Sequence, residues 1–210
     1  MRINVIQQPQ PVVDPDDIPA GHGMTDEAMA GIIAAAQAMI DGPSGWVGRA
    51  FGIQTLELVA NRFSCRADGV LHLPYWPVLE VDAVEYLDTG GAIVAVPAAD
   101  YRLSMQGGIV RVGGSSWPST ELAEDAVRIR YLAGYAKRKD GAWIGDPPAP
   151  VKAAVMLMTQ NLLAGFAADG GLRSYEVQGA FTEQYNSPEL VARARTSTVD
   201  ALLQPFRVYS

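Results

Sequence analysis

The chain has 210 residues, 49% hydrophobic and 19% charged, with a net charge of −7 from Asp+Glu 23 against Lys+Arg 16. That composition supports one core or two small ones, and the acidic balance excludes a default nucleic-acid clamp, which needs clustered Lys and Arg against phosphate. The lone cysteine, Cys65, excludes an internal disulfide and fits folding in a reducing cytoplasm.

No apolar run reaches the roughly 18 residues of a membrane span, and the opening MRINVIQQPQPVV lacks the apolar core and cleavage site of a secretory signal. Residues 1–23 carry Pro9, Pro11, Pro15 and Pro19 and are expected to form an extended arm. Their acidic run, Asp14 to Asp17, lacks the central glycine and distal glutamate of a calcium loop, so a solvated linker is expected. A helix opens at Thr25, a capping residue, with Asp26 and Glu27 at the positive end of the dipole. Met29, Ile32, Ile33, Ala36, Met39 and Ile40 recur at helical spacing until Gly42 and Pro43. A second short helix is expected over 44–51.

From Gln54 the period becomes that of strands. Extended runs are expected at 54–61, 70–73, 79–87, 92–96, 101–104, 109–112 and 126–132, with hairpin turns at 88–91 and 106–108. In the last run Val127, Ile129 and Tyr131 face one way, Arg128 and Arg130 the other. Together they predict a mainly antiparallel sandwich or open barrel. Residues 137–150 read as a charged, Gly- and Pro-rich connector. A helix from Pro150 to about Gly165 is apolar nearly all round, so Val151, Val155, Leu157, Met158 and Leu162 are candidates for packing within a bundle, in an oligomer contact, or both. Residues 167–186 read as a loop. A further helix starts at Ser187 and Pro188, weakened at 196–198, where Ser197 is expected to cap a last helix through Gln204.

The expected fold class is α+β: a helical bundle from N- and C-terminal helices with an inserted antiparallel β-rich domain. The expected division is an arm at 1–23, helical parts at 24–53 and 147–204, a β-domain at 54–136, and a C-terminal tail at 205–210. That tail, with Phe206, Arg207, Val208 and Tyr209, either plugs a groove of another protein or folds back on its own core.

Catalytic patterns are weak. His22 lies in the arm, and a Cys65–His72 dyad has no orienting third group. No His/Cys cluster offers metal ligands. Gly113-Gly114-Ser115-Ser116 lacks the lysine of a phosphate loop. Glu121, Glu124 and Asp125 read as a solvated loop, and Lys137, Arg138 and Lys139 form the dense basic patch, a solvated loop or a contact to an acidic partner or DNA. No catalytic residue, metal or cofactor is expected.

Over residues 24–207 an ordered series of phrases remains: AAAQAMIDGPSGWVGRAF then QTLEL; LHLPYWPVLEVDAVEYLDTGG; ADYRLS; Trp117-Pro118; VRIRYLAGY; PPAPVKAAVMLMTQNLL; and VDALLQPFR. In this order they resemble the head–tail connector (adaptor) family of long-tailed phages and gene transfer agents. The arm before Met24 is longer than that pattern, and 172–187 has no family phrase beyond Arg173.

The resemblance implies a structural, non-enzymatic protein, made in the bacterial cytoplasm and placed in the neck of a virion. It implies a ring of copies, typically a dodecamer, under the portal protein. The ring extends the DNA channel, lets DNA pass without specific binding, and meets a tail-side stopper or terminator protein. Leu202, Leu203, Phe206 and Arg207 become candidate portal contacts, and Tyr209 extends that set. The competing readings are another virion component, tail-side or head-completion, acting through its β-domain, and a carboxylate hydrolase, which would need a pocket of convergent acids.

Overall fold

The computed structural model describes residues 1–19, 23–64, 69–105, 107–114, 116–167, 174–177, 181–184 and 188–208. The chain divides into two compact units, one from residues 1–10, 40–147 and 208–210, the other from 11–39 and 148–207.

The first unit is β-rich. β1 (Arg2–Gln7), β2 (Gln54–Ala60), β4 (Val78–Leu87), β5 (Ile93–Ala95) and β8 (Val127–Ala133) form one antiparallel sheet in the order β1-β2-β8-β4-β5. β3 (Leu71–His72), β6 (Tyr101–Ser104) and β7 (Gly108–Arg111) form a second, in the order β3-β7-β6. Leu56, Leu58, Val84, Val127, Ile129 and Tyr131 of the first sheet share one buried cluster with Leu71 and Ile109 of the second. Alternation explains the choice: in β8 every second residue from Val127 to Ala133 is buried, while Arg128 and Arg130 face water. On the polar face Arg130 pairs with Glu57 at 3.3 Å.

Tyr131 is fully buried, and its hydroxyl donates to the Pro74 carbonyl at 2.8 Å. Burial, with a smaller effect from Tyr75, pushes this phenol well above its ordinary range. Because the folded-state value is raised, this contribution to stability is intact below about pH 10, where the free phenol ionises, and is lost as pH climbs above that. Tyr131→Phe should therefore flatten the loss of stability in urea melts between about pH 9.5 and 11. An unchanged pH slope would show that the phenol plays no part in it.

The expected arm is instead a strand over its first residues. Ile3 and Val5 pack against the β-core, which is the alternation that proline content obscured. The expected helix over 44–51 is absent: a single 3-10 turn spans Gly42–Ser44, and Val47, Ala50 and Phe51 are buried in irregular backbone. Gly42 and Gly48 adopt positive φ (62° and 78°), which breaks helical geometry. The N–H groups there bond elsewhere. The Asp41 carboxylate, 3% exposed, accepts from Phe51 N–H at 2.7 Å, Gly52 N–H at 2.9 Å and the Gln54 amide at 2.8 Å. Residues 40–53 thus belong to the β-unit rather than the helical part.

The expected connector contains a hairpin, β9 (Ala136–Lys139) and β10 (Ala142–Gly145). Its turn residues Asp140 and Gly141 both have positive φ (51° and 84°), the pattern that Asp-Gly favours. Residues 172–187 likewise include a paired β11 (Ser174–Val177) and β12 (Phe181–Gln184).

The second unit carries α1 (Asp26–Ala38), α2 (Ala149–Ala167) and α3 (Pro188–Leu203), with α2 packed against both α1 and α3. The Thr25 hydroxyl caps α1 by accepting from Ala28 N–H at 3.3 Å. Met29, Ile33 and Ala36 form its buried stripe, and the buried Gln37 side chain accepts Val12 N–H at 3.0 Å. Val12, Val13 and Ile18 are buried, so this part of the expected arm is folded as well. α3 runs unbroken through Ser197, so no separate helix starts there, and residues 196–198 face solvent. The α+β class with antiparallel sheets holds. The expected bundle is reduced to three helices among the described residues.

Candidate functional site

Among the described residues no cluster of His, Cys, Asp and Glu could hold a metal, and no helix is long and apolar enough to cross a membrane. Cys65 and His22 lie outside the described residues; His72 sits half-buried in β3. Asp125 is engaged with Arg2 at 3.0 Å. A shallow cleft is lined by Glu85, Tyr86, Leu87, Ile93, Asp125 and Arg128. Asp82, whose carboxyl is pushed up by burial and by Glu80 against the pull of Arg130, does not line it. A hydrolase needs perturbed acid and pocket in one place, and at this cleft the two do not coincide.

The sequence also singled out the end of the chain and the face of α2. α3 places its last turn by burying Val199 and Leu203 at helical spacing. Leu202 is half-buried beside them, and a 3-10 turn, Gln204–Phe206, follows, with Pro205 at its start. Phe206 is half-buried and Arg207 exposed. Leu203 is 0% exposed, so it supports this segment from within and offers no surface of its own. Val208 does not extend freely: its N–H donates to the Val47 carbonyl at 2.9 Å, and its side chain lies against Gly48. At that residue the chain folds back on the β-unit. Tyr209 lies outside the described residues.

On α2 the five ring candidates divide. Val151 and Val155 are 0% exposed and Met158 8%, so they belong to the chain's own core, together with Ala154. Leu157 and Leu162 are half-buried and keep apolar surface. Thr159 is buried with its hydroxyl satisfied by donating to the Val155 carbonyl at 2.9 Å. The helix is apolar around most of its girth yet buried on one side, which periodicity could not reveal.

Another surface went unread as structure. In the β9–β10 hairpin Arg138 faces Trp143 across the strands, its guanidinium 5.4 Å over the ring, and Trp143 N–H donates to Glu80 at 3.1 Å. These contacts hold the hairpin on β4. The Asp-Gly pair flanked by two short strands was the signal that could have found it.

No family model matches the chain, and no curated protein sequence does. Solved structures do. A chain from the neck of an empty GTA particle computed with C6 symmetry superposes with a TM-score of 0.63 at 22% identity, over 100% of this chain and 97% of that one. A chain of the virion of a native gene transfer agent (GTA) particle gives 0.60 at 20%, with the same coverage. One from the neck of a native GTA particle computed with C12 symmetry gives 0.57 at 19%, again over 100% and 97%. The likeness is one of fold, and it runs the whole length of this chain and nearly all of the others.

Proposed function

We propose that this chain is a structural component of a virion neck, a head–tail connector that forms a ring below the portal, extends the DNA channel and joins capsid to tail. The observation that carries this reading is the end-to-end likeness of fold to neck chains of GTA particles computed with C6 and C12 symmetry. Such symmetry fits a ring, which needs two different faces per copy and a rotation that closes. The half-buried Leu157 and Leu162 on α2 supply apolar surface for such a contact.

Portal docking falls to Leu202, Phe206 and Arg207, with Tyr209 as their extension and Leu203 behind them. Aromatic residues and arginine are both enriched in protein interfaces, and repetition around a ring adds avidity to a short segment. A stopper or terminator protein is the tail-side partner, and the protein has no catalytic role.

The test is to mix the purified chain with the portal ring from the same genome and examine the product by electron microscopy. A ring stacked under the portal is expected. Deleting 205–210, or combining Phe206→Ala with Arg207→Glu, should cut portal capture by about 100-fold or more, as loss of a central hot spot does. The double variant leaves Val208 in place to keep its bond to Val47. Full capture by both variants would show that the tail is not the docking element.

A further inference from the structure

Lysine occurs at positions 137, 139 and 152 alone. The first and second of these stand on β9 with Arg138 between them, and all three side chains are exposed. Strand alternation puts Lys137 and Lys139 on one face, opposite Ile144 and Ala142 of β10, and Ile144 is 50% exposed. Arg138 points to the other face, over Trp143. Lys137 is paired with Asp146 at 2.7 Å, whereas Lys139 has no ion pair among the described residues. The hairpin is therefore a rigid finger with a cationic face and an apolar centre.

The rest of the chain is acidic, and copies of net charge −7 repel one another at long range. A ring of such copies closes where opposite signs meet. The second unit presents a dense exposed acidic surface: Asp14, Asp16 and Asp17 around the 3-10 turn, and Asp26 and Glu27 at the start of α1, against which that turn packs. None of these carboxylates has an ion pair among the described residues.

We infer that the β9–β10 hairpin is a subunit-docking finger whose lysine face seats on residues 14–17 and the start of α1 of a second copy. The contact is head-to-tail, so each copy gives its finger to one neighbour and its acidic turn to another, as a closed ring requires. Ile144 supplies the apolar centre, and the charges set register and speed of encounter. The inference rests on the ring reading above and names a contact within that ring.

The test uses the full chain, made with and without heavy nitrogen, mixed in equal parts and treated with a zero-length carbodiimide, which joins lysine to carboxylate. So few lysines make the map unambiguous, and the Lys137–Asp146 pair at 2.7 Å is the internal control within one chain. Heavy–light links from Lys137 or Lys139 to Asp14, Asp16, Asp17, Asp26 or Glu27 are expected. Oligomers whose heavy–light links omit both hairpin lysines would overturn the finger and leave the ring standing. No self-association, with or without portal, would remove the ring and the finger together.

A charge-swap pair adds a second arm. Lys137→Glu with Lys139→Glu, which leaves Arg138 over Trp143 in place, should weaken assembly about tenfold at roughly 50 mM salt, where surface charges are least screened. Adding an equal amount of a chain with Asp16→Lys and Asp17→Lys should restore it. If the first variant assembles like the wild type but loses affinity for duplex DNA, the hairpin faces nucleic acid and the inference is overturned.

Discussion

Asp41→Ala should lower stability by about 3–5 kcal/mol, the cost of stripping a buried carboxylate from the donors that surround it. Those donors are the Phe51 and Gly52 N–H groups and the Gln54 amide, all within 2.9 Å of its oxygens. The two N–H groups sit on irregular backbone with no helix or ladder to satisfy them, so removing the carboxylate takes away the acceptor of both and the nearer acceptor of the Gln54 amide, whose other is the Gly52 carbonyl at 3.4 Å. Gln54 opens β2, and Ala50 belongs to the β-core, so the damage passes directly into the sheet. For a chain of this size the loss amounts to a fall in melting temperature of roughly 10 °C. Asp41→Asn keeps one carbonyl acceptor and turns the other oxygen into a donor that meets a donor, so it should fall between the two. A scanning calorimeter settles the matter: an Asp41→Ala endotherm within about 2 °C of the wild type would mean that water replaces the carboxylate at little cost.

The same segment shows what could be read in the sequence. The start of α1, most strands and the hairpin at 88–91 were legible because each rests on local chemistry. Thr25 caps, Val127 to Ala133 alternate, and Asp88 accepts the Gly90 and Ala92 N–H groups across its turn at 2.8 and 3.0 Å. Residues 44–51 looked helical because Ser44 could cap and the small Gly48 and Ala50 would let Trp46, Val47 and Phe51 pack on the preceding helix. Nothing local announces that a carboxylate several residues upstream will claim the backbone N–H groups. β1 was hidden for a similar reason: its partner lies about fifty residues on, as Ile3 opposite Leu58 shows. At the site, Phe206 and Arg207 were visible as residue types. That Leu203 is buried and Val208 pinned to Val47 depends on packing, which no spacing rule carries.

A matched pair of substitutions on α2 separates folding from assembly. Val155 and Leu157 are two residues apart, which on a helix of 3.6 residues per turn places them on nearly opposite faces. Val155 is 0% exposed and continues the stripe of Val151, Ala154 and Met158, whereas Leu157 keeps part of its surface in water. Val155→Asp puts a charge into that core with no partner, which should cost about 4 kcal/mol or more and leave α2 unable to hold α1 and α3. Loss of helical circular dichroism and protease resistance across 148–207 is expected. Leu157→Asp lets the carboxylate turn to solvent, so the monomer should lose no more than about 1 kcal/mol. If Leu157 meets a neighbour in a ring, that modest change in the monomer should come with a drop of at least about tenfold in assembly, because the charge is then desolvated at the contact. Analytical ultracentrifugation and chemical melts on both variants read the two effects independently. A Leu157→Asp chain that melts and assembles like the wild type would move the ring contact off α2, to the hairpin and acidic turn alone. One that fails to fold would place Leu157 in the core of the second unit, where its partial exposure would count for nothing.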